Sequence, residues 1–213
     1  MQFNAILFDW DGTLYDSIGA SFSIYQELFK KYANLNLSCE YFKNTFIVDY
    51  HKYYAMHGIP ESKWEEVDNL WLKRFHEMEG KIHLFPGVKE MLRELKKTNI
   101  KLGLVSNGTG ERIKKEMRKN GIYEYFDAVI TDDEVKEFKP NPKGVIEALK
   151  VIRVVNSAAL YVGDMIEDVE AGRNAGVKTA AVTWGAHSLQ RLKPAKPDYI
   201  INKLDELMRI VKL

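Results

Sequence analysis

The chain has 213 residues, one large domain or two small ones at ~150 residues per domain, and at this size roughly 70–75% of the unfolded surface can be buried. Apolar residues make up 46% and charged residues 29%, an ordinary globular balance that excludes a disordered or collagen-like chain. The 31 Lys and Arg against 30 Asp and Glu leave a net charge of +1, so no basic field exists to draw in nucleic acid or an anionic membrane.

The first apolar run, ending Ala5-Ile6-Leu7-Phe8, meets Asp9 with no basic segment before it, unlike a signal peptide. No apolar stretch approaches the ~20 residues of a membrane helix, and a cytoplasmic protein is expected. Short apolar runs bounded by turn residues predict strands at 5–9, 100–106, 128–131, 160–164 and 178–182, with one more at 198–202. Their continuous Val/Ile/Leu character suits strands covered on both faces. Helical patterns fall between them at 88–97, 112–120, 144–152 and 168–175, and a closing one at 204–211. Thr98-Asn99, Asn120-Gly121 and Gly176 supply the stops. Strand–helix alternation gives parallel strands with right-handed crossovers, hence an α/β, doubly wound sheet.

Residues 16–83 break this rhythm. They carry helical patterns (Phe42, Phe46 and Tyr50; Trp64, Val67, Trp71 and Phe75) and no convincing strand, with 10 acidic and 8 basic residues. A helical insert after the first strand is expected, and its aromatic residues are read as core rather than as a ligand cage. The lone Cys39 lies in this insert. It excludes an internal disulfide and is expected to be a small buried hydrophobe.

The sharpest chemical signal is Asp9-Trp10-Asp11-Gly12-Thr13, directly after the first strand. Open α/β sheets bind ligands at the C-terminal ends of their strands. Strand alternation would aim Asp9 and Asp11 the same way, and Gly12 lets the backbone turn sharply. Later strands also end in polar groups. Ser106-Asn107-Gly108 offers a hydroxyl and amides suited to a phosphate oxygen at a helix N-terminus. Lys139 lies beside Pro140 and Pro142, and Gly163-Asp164 is followed by Asp168 in the first turn of the next helix. A capping Ser, a solvated Lys or an N-terminal Asp is each ordinary alone. All of them at one sheet edge are not. The histidines (His51, His57, His76, His83, His187) show neither metal-ligand pairing nor a Ser-His-Asp order, and no direct chemical role is expected of them.

This set resembles the haloacid dehalogenase-like hydrolase superfamily, over the length of the chain. The family's four motifs match Asp9 to Thr13, then Ser106, then Lys139, then Gly163-Asp164 with Asp168. The insert is similar to the family's small helical cap, and Asp16-Ser17 continues the first motif as in the phosphatase branch. The resemblance implies a Rossmann-like core at 1–15 and 84–213 with a helical cap domain at 16–83. It implies a Mg²⁺-dependent phosphatase of a small phosphorylated metabolite, working through an aspartyl-phosphate. In that scheme Asp9 is the nucleophile and Asp11 the general acid and base. Asp9, Asp11 and Asp164 hold Mg²⁺, Asp11 through its backbone carbonyl. Ser106, Asn107 and Lys139 bind the phosphate, and Asp168 orients Lys139 or a metal-bound water. A phosphomutase with the same core is the nearest alternative, ahead of a 2-haloacid dehalogenase or a non-catalytic binding protein. Neither nucleic acid nor membrane is expected as a partner, and the substrate and oligomeric state are not legible.

Overall fold

A computed structural model describes residues 3–211. Among them, six parallel strands form one sheet in the order β3-β2-β1-β4-β5-β6. The strands are β1 (Ala5–Phe8), β2 (Lys101–Val105), β3 (Ala128–Ile130), β4 (Ala159–Gly163), β5 (Lys178–Val182) and β6 (Tyr199–Ile201). All six fall within a residue or two of the expected runs, because both faces are covered and the apolar runs are unbroken. Side chains of β1 alternate across the sheet. Ile6 and Phe8 join Leu102, Leu104 and Val162 on one face, while Ala5 and Leu7 join Val105 and Tyr161 on the other.

Helices α5 (Val88–Lys96) and α6 (Gly110–Lys119) cover the first face, and α7 (Lys143–Ile152) and α8 (Ile166–Asn174) the second. In α5 the buried residues Val88, Met91, Leu92 and Leu95 recur at helical spacing, with Lys, Arg and Glu on the outer side. Gly121 and Gly176, both at positive φ, follow the ends of α6 and α8 as expected. Both helices begin two residues earlier than the sequence pattern suggests, because a carboxylate ties down each start, one from the loop after β3 and one from the first turn of α8 itself. Asp132 accepts from the Gly110 amide at 3.1 Å, and Asp168 accepts from the Met165 amide at 2.9 Å. Helix α9 (Leu189–Leu192) follows β5, and α10 (Leu204–Ile210) closes the chain on the α5 side.

Between β1 and α5 lie only helices: α1 (Ile18–Ala33), α2 (Cys39–Thr45), α3 (Tyr50–Met56) and α4 (Trp64–Met78). The chain departs and returns side by side. The Asp16 amide donates to the His83 carbonyl at 2.9 Å, and Phe85 donates to Leu14 at 3.0 Å. Of the insert aromatic residues read as core, Phe42 and Phe75 are buried and Phe46, Trp64 and Trp71 are half-buried against the core, but Tyr50 is exposed, because Tyr53 and Tyr54 take the inward positions of α3. Cys39 is exposed, contrary to the expectation of burial. It is the first residue of α2, and Leu37 and Phe42 take the inward positions around it. No helix among the described residues is long and apolar enough to cross a membrane.

Leu7 is fully buried in the central strand beneath α7. Leu7→Ala should therefore cost about 2–5 kcal/mol in urea unfolding. A loss below about 1 kcal/mol would contradict this placement of the core.

Candidate active site

The register sets the ends of three strands level. Phe8 stands opposite Leu104 of β2 and Val162 of β4, so Asp9, Ser106 and Asp164 emerge at one edge. The chain steps from β1 toward β2 and β3, then returns to β4 on the other side of β1. That reversal opens a crevice at the C-terminal ends of β1 and β4, and Asp9 and Asp164 flank it.

Three carboxylates converge here: Asp9, Asp164 and Asp168 each offer an oxygen within 4.8 Å of the others. All three residues are buried. One ammonium answers them. Lys139 Nζ donates to Asp9 Oδ1 and to Asp168 Oδ1, both at 2.6 Å. Asp168 is further held by the amides of Asp164 at 3.1 Å and Met165 at 2.9 Å. It therefore caps α8 and anchors Lys139 at once. Tyr161 Oη lies 3.1 Å from the same Asp168 oxygen.

Asp164 sits in a cradle that only glycines permit. A Cβ on Gly12 would lie 2.3 Å from Asp164 Oδ2, and one on Gly185 would lie 2.2 Å from Asp164 Cβ. Gly12 also takes a φ of +80°, where other residues are strained. Thr13 Oγ1 donates to Asp164 Oδ1 at 3.2 Å, and the Ala186 amide donates to Oδ2 at 2.6 Å.

Burial drives the electrostatics. It pushes the Asp9 carboxyl up to about 7, with Asp168 adding to the rise and Lys139 opposing it. Burial, then Asp9 and Asp168, push Asp164 well above the carboxylate range. Burial would lower Lys139, but Asp168 and Asp9 outweigh it and hold the amine well above its ordinary value. With every group ionised, two negative charges remain in excess. A buried all-oxygen cluster with that surplus suits a hard divalent cation.

The Asp11 carboxylate stands apart from this group. β1 ends at Phe8, and a turn follows in which the amides of Thr13, Leu14 and Tyr15 all donate to the Trp10 carbonyl. Strand alternation thus no longer governs where Asp11 points. Arg112 of α6 grips it with two bonds, Nη2–Oδ2 at 2.6 Å and Nη1–Oδ1 at 3.1 Å, and Ser17 donates to Oδ1 at 2.8 Å. Burial raises the Asp11 pKa, but Arg112 and Ser17 together hold it below the usual range. Glu116 receives Arg112 Nη1 at 3.1 Å and Trp10 Nε1 at 2.7 Å.

Ser106 is buried, and its Oγ accepts from the Gly108 amide at 3.2 Å. Asn107 Oδ1 accepts from the Lys139 amide at 3.1 Å, which leaves its buried Nδ2 without a partner.

A sequence model of the haloacid dehalogenase-like hydrolases matches residues 6–182. The pyrophosphatase PpaX of Bacillus velezensis is 34% identical over 210 residues, 97% of this chain and 95% of that one. Its namesake in Oceanobacillus iheyensis is 33% identical over 215 residues, 99% and 98% of the two chains. The chain belongs to the haloacid dehalogenase-like hydrolases. The fold of this hydrolase is also that of a candidate phosphoglycolate phosphatase of Lactobacillus plantarum, with a TM-score of 0.85, 23% identity, and 99% and 100% of the two chains covered. It is an enzyme of the family's phosphatase branch.

Sequence reasoning expected no direct chemical role of His187, and it passed over Arg112, Glu116, Tyr161 and the pair Gly185-Ala186. The glycine soon after β5 was the one available sign of the last. His187 is fully buried. Its Nδ1 accepts from the Ile166 amide at 3.0 Å, so Nε2 carries the proton and donates to the Phe46 carbonyl at 2.8 Å. Burial, with Arg191 nearby, lowers its pKa to about 4. This neutral ring ties the α2 end of the insert to the start of α8.

Lys139→Met would leave the carboxylates unopposed. The Asp9 pKa would climb further above its unfolded value near ~4, so folded stability would be kept at low pH and lost as pH rises. In chelator, the variant should be about 3–5 kcal/mol less stable than wild type at pH 8, with a smaller deficit at pH 5. An equal deficit at both values in urea titrations would contradict this electrostatic account.

Proposed function

We propose that this hydrolase is a Mg²⁺-dependent phosphatase that cleaves a small phosphorylated metabolite through an aspartyl-phosphate on Asp9. The observation that carries the reading is the buried carboxylate cluster answered by a single ammonium. Asp9, Asp164 and the Asp11 main-chain carbonyl would hold the cation, with Asp168 anchoring Lys139 beside them. Mg²⁺ bound there would supply the charge that lets a phosphate dianion approach carboxylates.

The chain's own residues do the rest. Lys139, the Ser106 hydroxyl and the free Asn107 Nδ2 bind and orient the phosphoryl oxygens. An Asp9 oxygen attacks phosphorus, the bond from phosphorus to the leaving oxygen breaks, and Asp11 gives that oxygen a proton. Water then attacks phosphorus, Asp9 leaves as a carboxylate, and Asp11 takes the water's proton. The products are the alcohol and inorganic phosphate, and both carboxyls return to their starting forms. Arg112 and Ser17 hold Asp11 in its base form, which the second half requires. The first half needs that ion pair to loosen and Asp11 to have taken a proton from solvent water, and the second half restores that proton.

We further propose that residues 1–15 and 84–213 form the catalytic core and that 16–83 act as a lid. The adjacent departure and return of the chain at Tyr15 and Leu84 supports this division. Closure of such a lid would exclude water from the phosphoryl group.

Asp9→Asn is nearly isosteric but cannot attack, so phosphate release should fall to background in a folded protein. One-tenth of wild-type kcat remaining would contradict the assignment, as would full activity in EDTA. Asp11→Asn should slow an alkyl phosphate far more than an aryl phosphate, whose phenolate leaves unassisted. Equal losses on the two substrates would remove Asp11 from proton transfer.

A further inference from the structure

Arg112 serves two acids at once. Its Nη2 donates to Asp11 Oδ2 at 2.6 Å, and its Nη1 lies 3.1 Å from both Asp11 Oδ1 and Glu116 Oε2. Among the described residues, these are the two acids within 4.0 Å of the guanidinium. One cation thus answers two carboxylates. The planar fork of arginine can reach both, where the single nitrogen of a lysine could not do so in the same way.

The two partners differ in permanence. Glu116 stands four residues after Arg112 on α6, the spacing that sets side chains on one helix face, so the helix itself builds that pair. The Glu116 side chain is only 6% exposed, and Trp10 Nε1 also donates to its Oε2, at 2.7 Å. Asp11 meets Arg112 from 101 residues away, on the turn after β1, and its side chain is 32% exposed. Gly108 leaves room for this contact: a Cβ there would collide with Arg112 Nη2, the nitrogen closest to Asp11.

The proposed chemistry asks Asp11 to leave this pairing and turn to the leaving oxygen. A guanidinium left behind with no anion would be a half-buried, unpaired charge, which is strongly disfavoured. Glu116 removes that obstacle. It is in place before Asp11 departs, and it can take Nη1 wholly for itself. Trp10 fixes this second carboxylate to the turn that carries both acids, since it stands between Asp9 and Asp11 in the chain.

We propose that Glu116 is a positioning residue, the second seat of the Arg112 guanidinium, and that it frees Asp11 to serve the leaving group. This rests on the phosphatase reading and on Asp11 as its proton carrier. Glu116 touches neither phosphorus nor the leaving oxygen. It acts by holding Arg112 while Asp11 is away.

The test measures kcat/KM with Mg²⁺ for benzyl phosphate, an alkyl ester, and for p-nitrophenyl phosphate, whose phenolate leaves without a proton. In Glu116→Gln the guanidinium stays on Asp11, so benzyl phosphate should lose at least about tenfold more than p-nitrophenyl phosphate. Adding Arg112→Met removes the grip itself and should return the ratio of the two substrates to within about threefold of wild type. A merely structural lesion would lower both substrates together, and a second loss at the same place would not repair it. Equal losses in Glu116→Gln, or a double variant no better than the single one, overturn the proposal while the phosphatase stands. Should Glu116→Gln not fold, Glu116→Asp draws the carboxylate back by one methylene and should move the ratio the same way by about threefold or more; no movement overturns the proposal equally. Asp11→Asn run beside them should show the same skew between substrates, and without it the role of Asp11 fails and the proposal with it. If the wild type releases phosphate from neither ester, the phosphatase reading falls as well.

Discussion

One buried ammonium holds the site together. Lys139 stands between Asp9 and Asp168 at 2.6 Å from each, and without it three interior carboxylates would repel one another with little water to screen them. Each surrounding feature serves that arrangement. The parallel register levels the ends of β1, β2 and β4, Asp168 fixes the lysine from the first turn of α8, and the glycines at 12 and 185 leave room for Asp164. Removing one member of such a set leaves a buried charge unpaired, a cost of several kcal/mol. The apolar faces above and below the sheet must offset that cost. Local stability is given up to keep a concentrated negative site ready for a cation and a phosphate.

A second network works beside the first and in the opposite sense. In the cluster burial wins, and Asp9 and Asp164 are pushed toward protonation. At Asp11 the guanidinium of Arg112 wins, and the carboxylate stays ionised. Two carboxyls two residues apart are thus driven apart in proton affinity, in the sense opposite to the proposed roles: Asp9 attacks only when ionised, which Lys139 and a bound cation would favour, and Asp11 must gain a proton before it can give one. The insert reaches this second network through Phe75, whose ring lies 5.2 Å from the Arg112 guanidinium. The insert and the ion pair that holds Asp11 are therefore in direct contact.

Much of this was legible before any coordinates. The strands carry continuous apolar runs because helices cover them on both sides, and that pattern is local. The motif residues Asp9, Ser106, Lys139, Asp164 and Asp168 were legible because each follows a strand, and a parallel sheet brings strand ends to one edge. What depends on tertiary distance was not legible. Arg112 lies 101 residues from Asp11, inside a helix whose pattern marks it only as a charged position. The Asp11 side chain was expected to follow strand alternation, but the strand stops at Phe8 and the turn redirects it. Cys39 was expected inside because cysteine usually is. Its place at the first residue of a short helix leaves it outside.

The central claim is that Asp9 becomes phosphorylated during turnover. Mild reduction with borohydride converts an aspartyl-phosphate to homoserine at the same position, and peptide mass spectrometry then locates it. Enzyme quenched during steady-state hydrolysis with Mg²⁺ should carry homoserine at residue 9 and nowhere else, and enzyme without substrate should carry none. Turnover with an unmodified residue 9, or modification at a different side chain, would contradict the account.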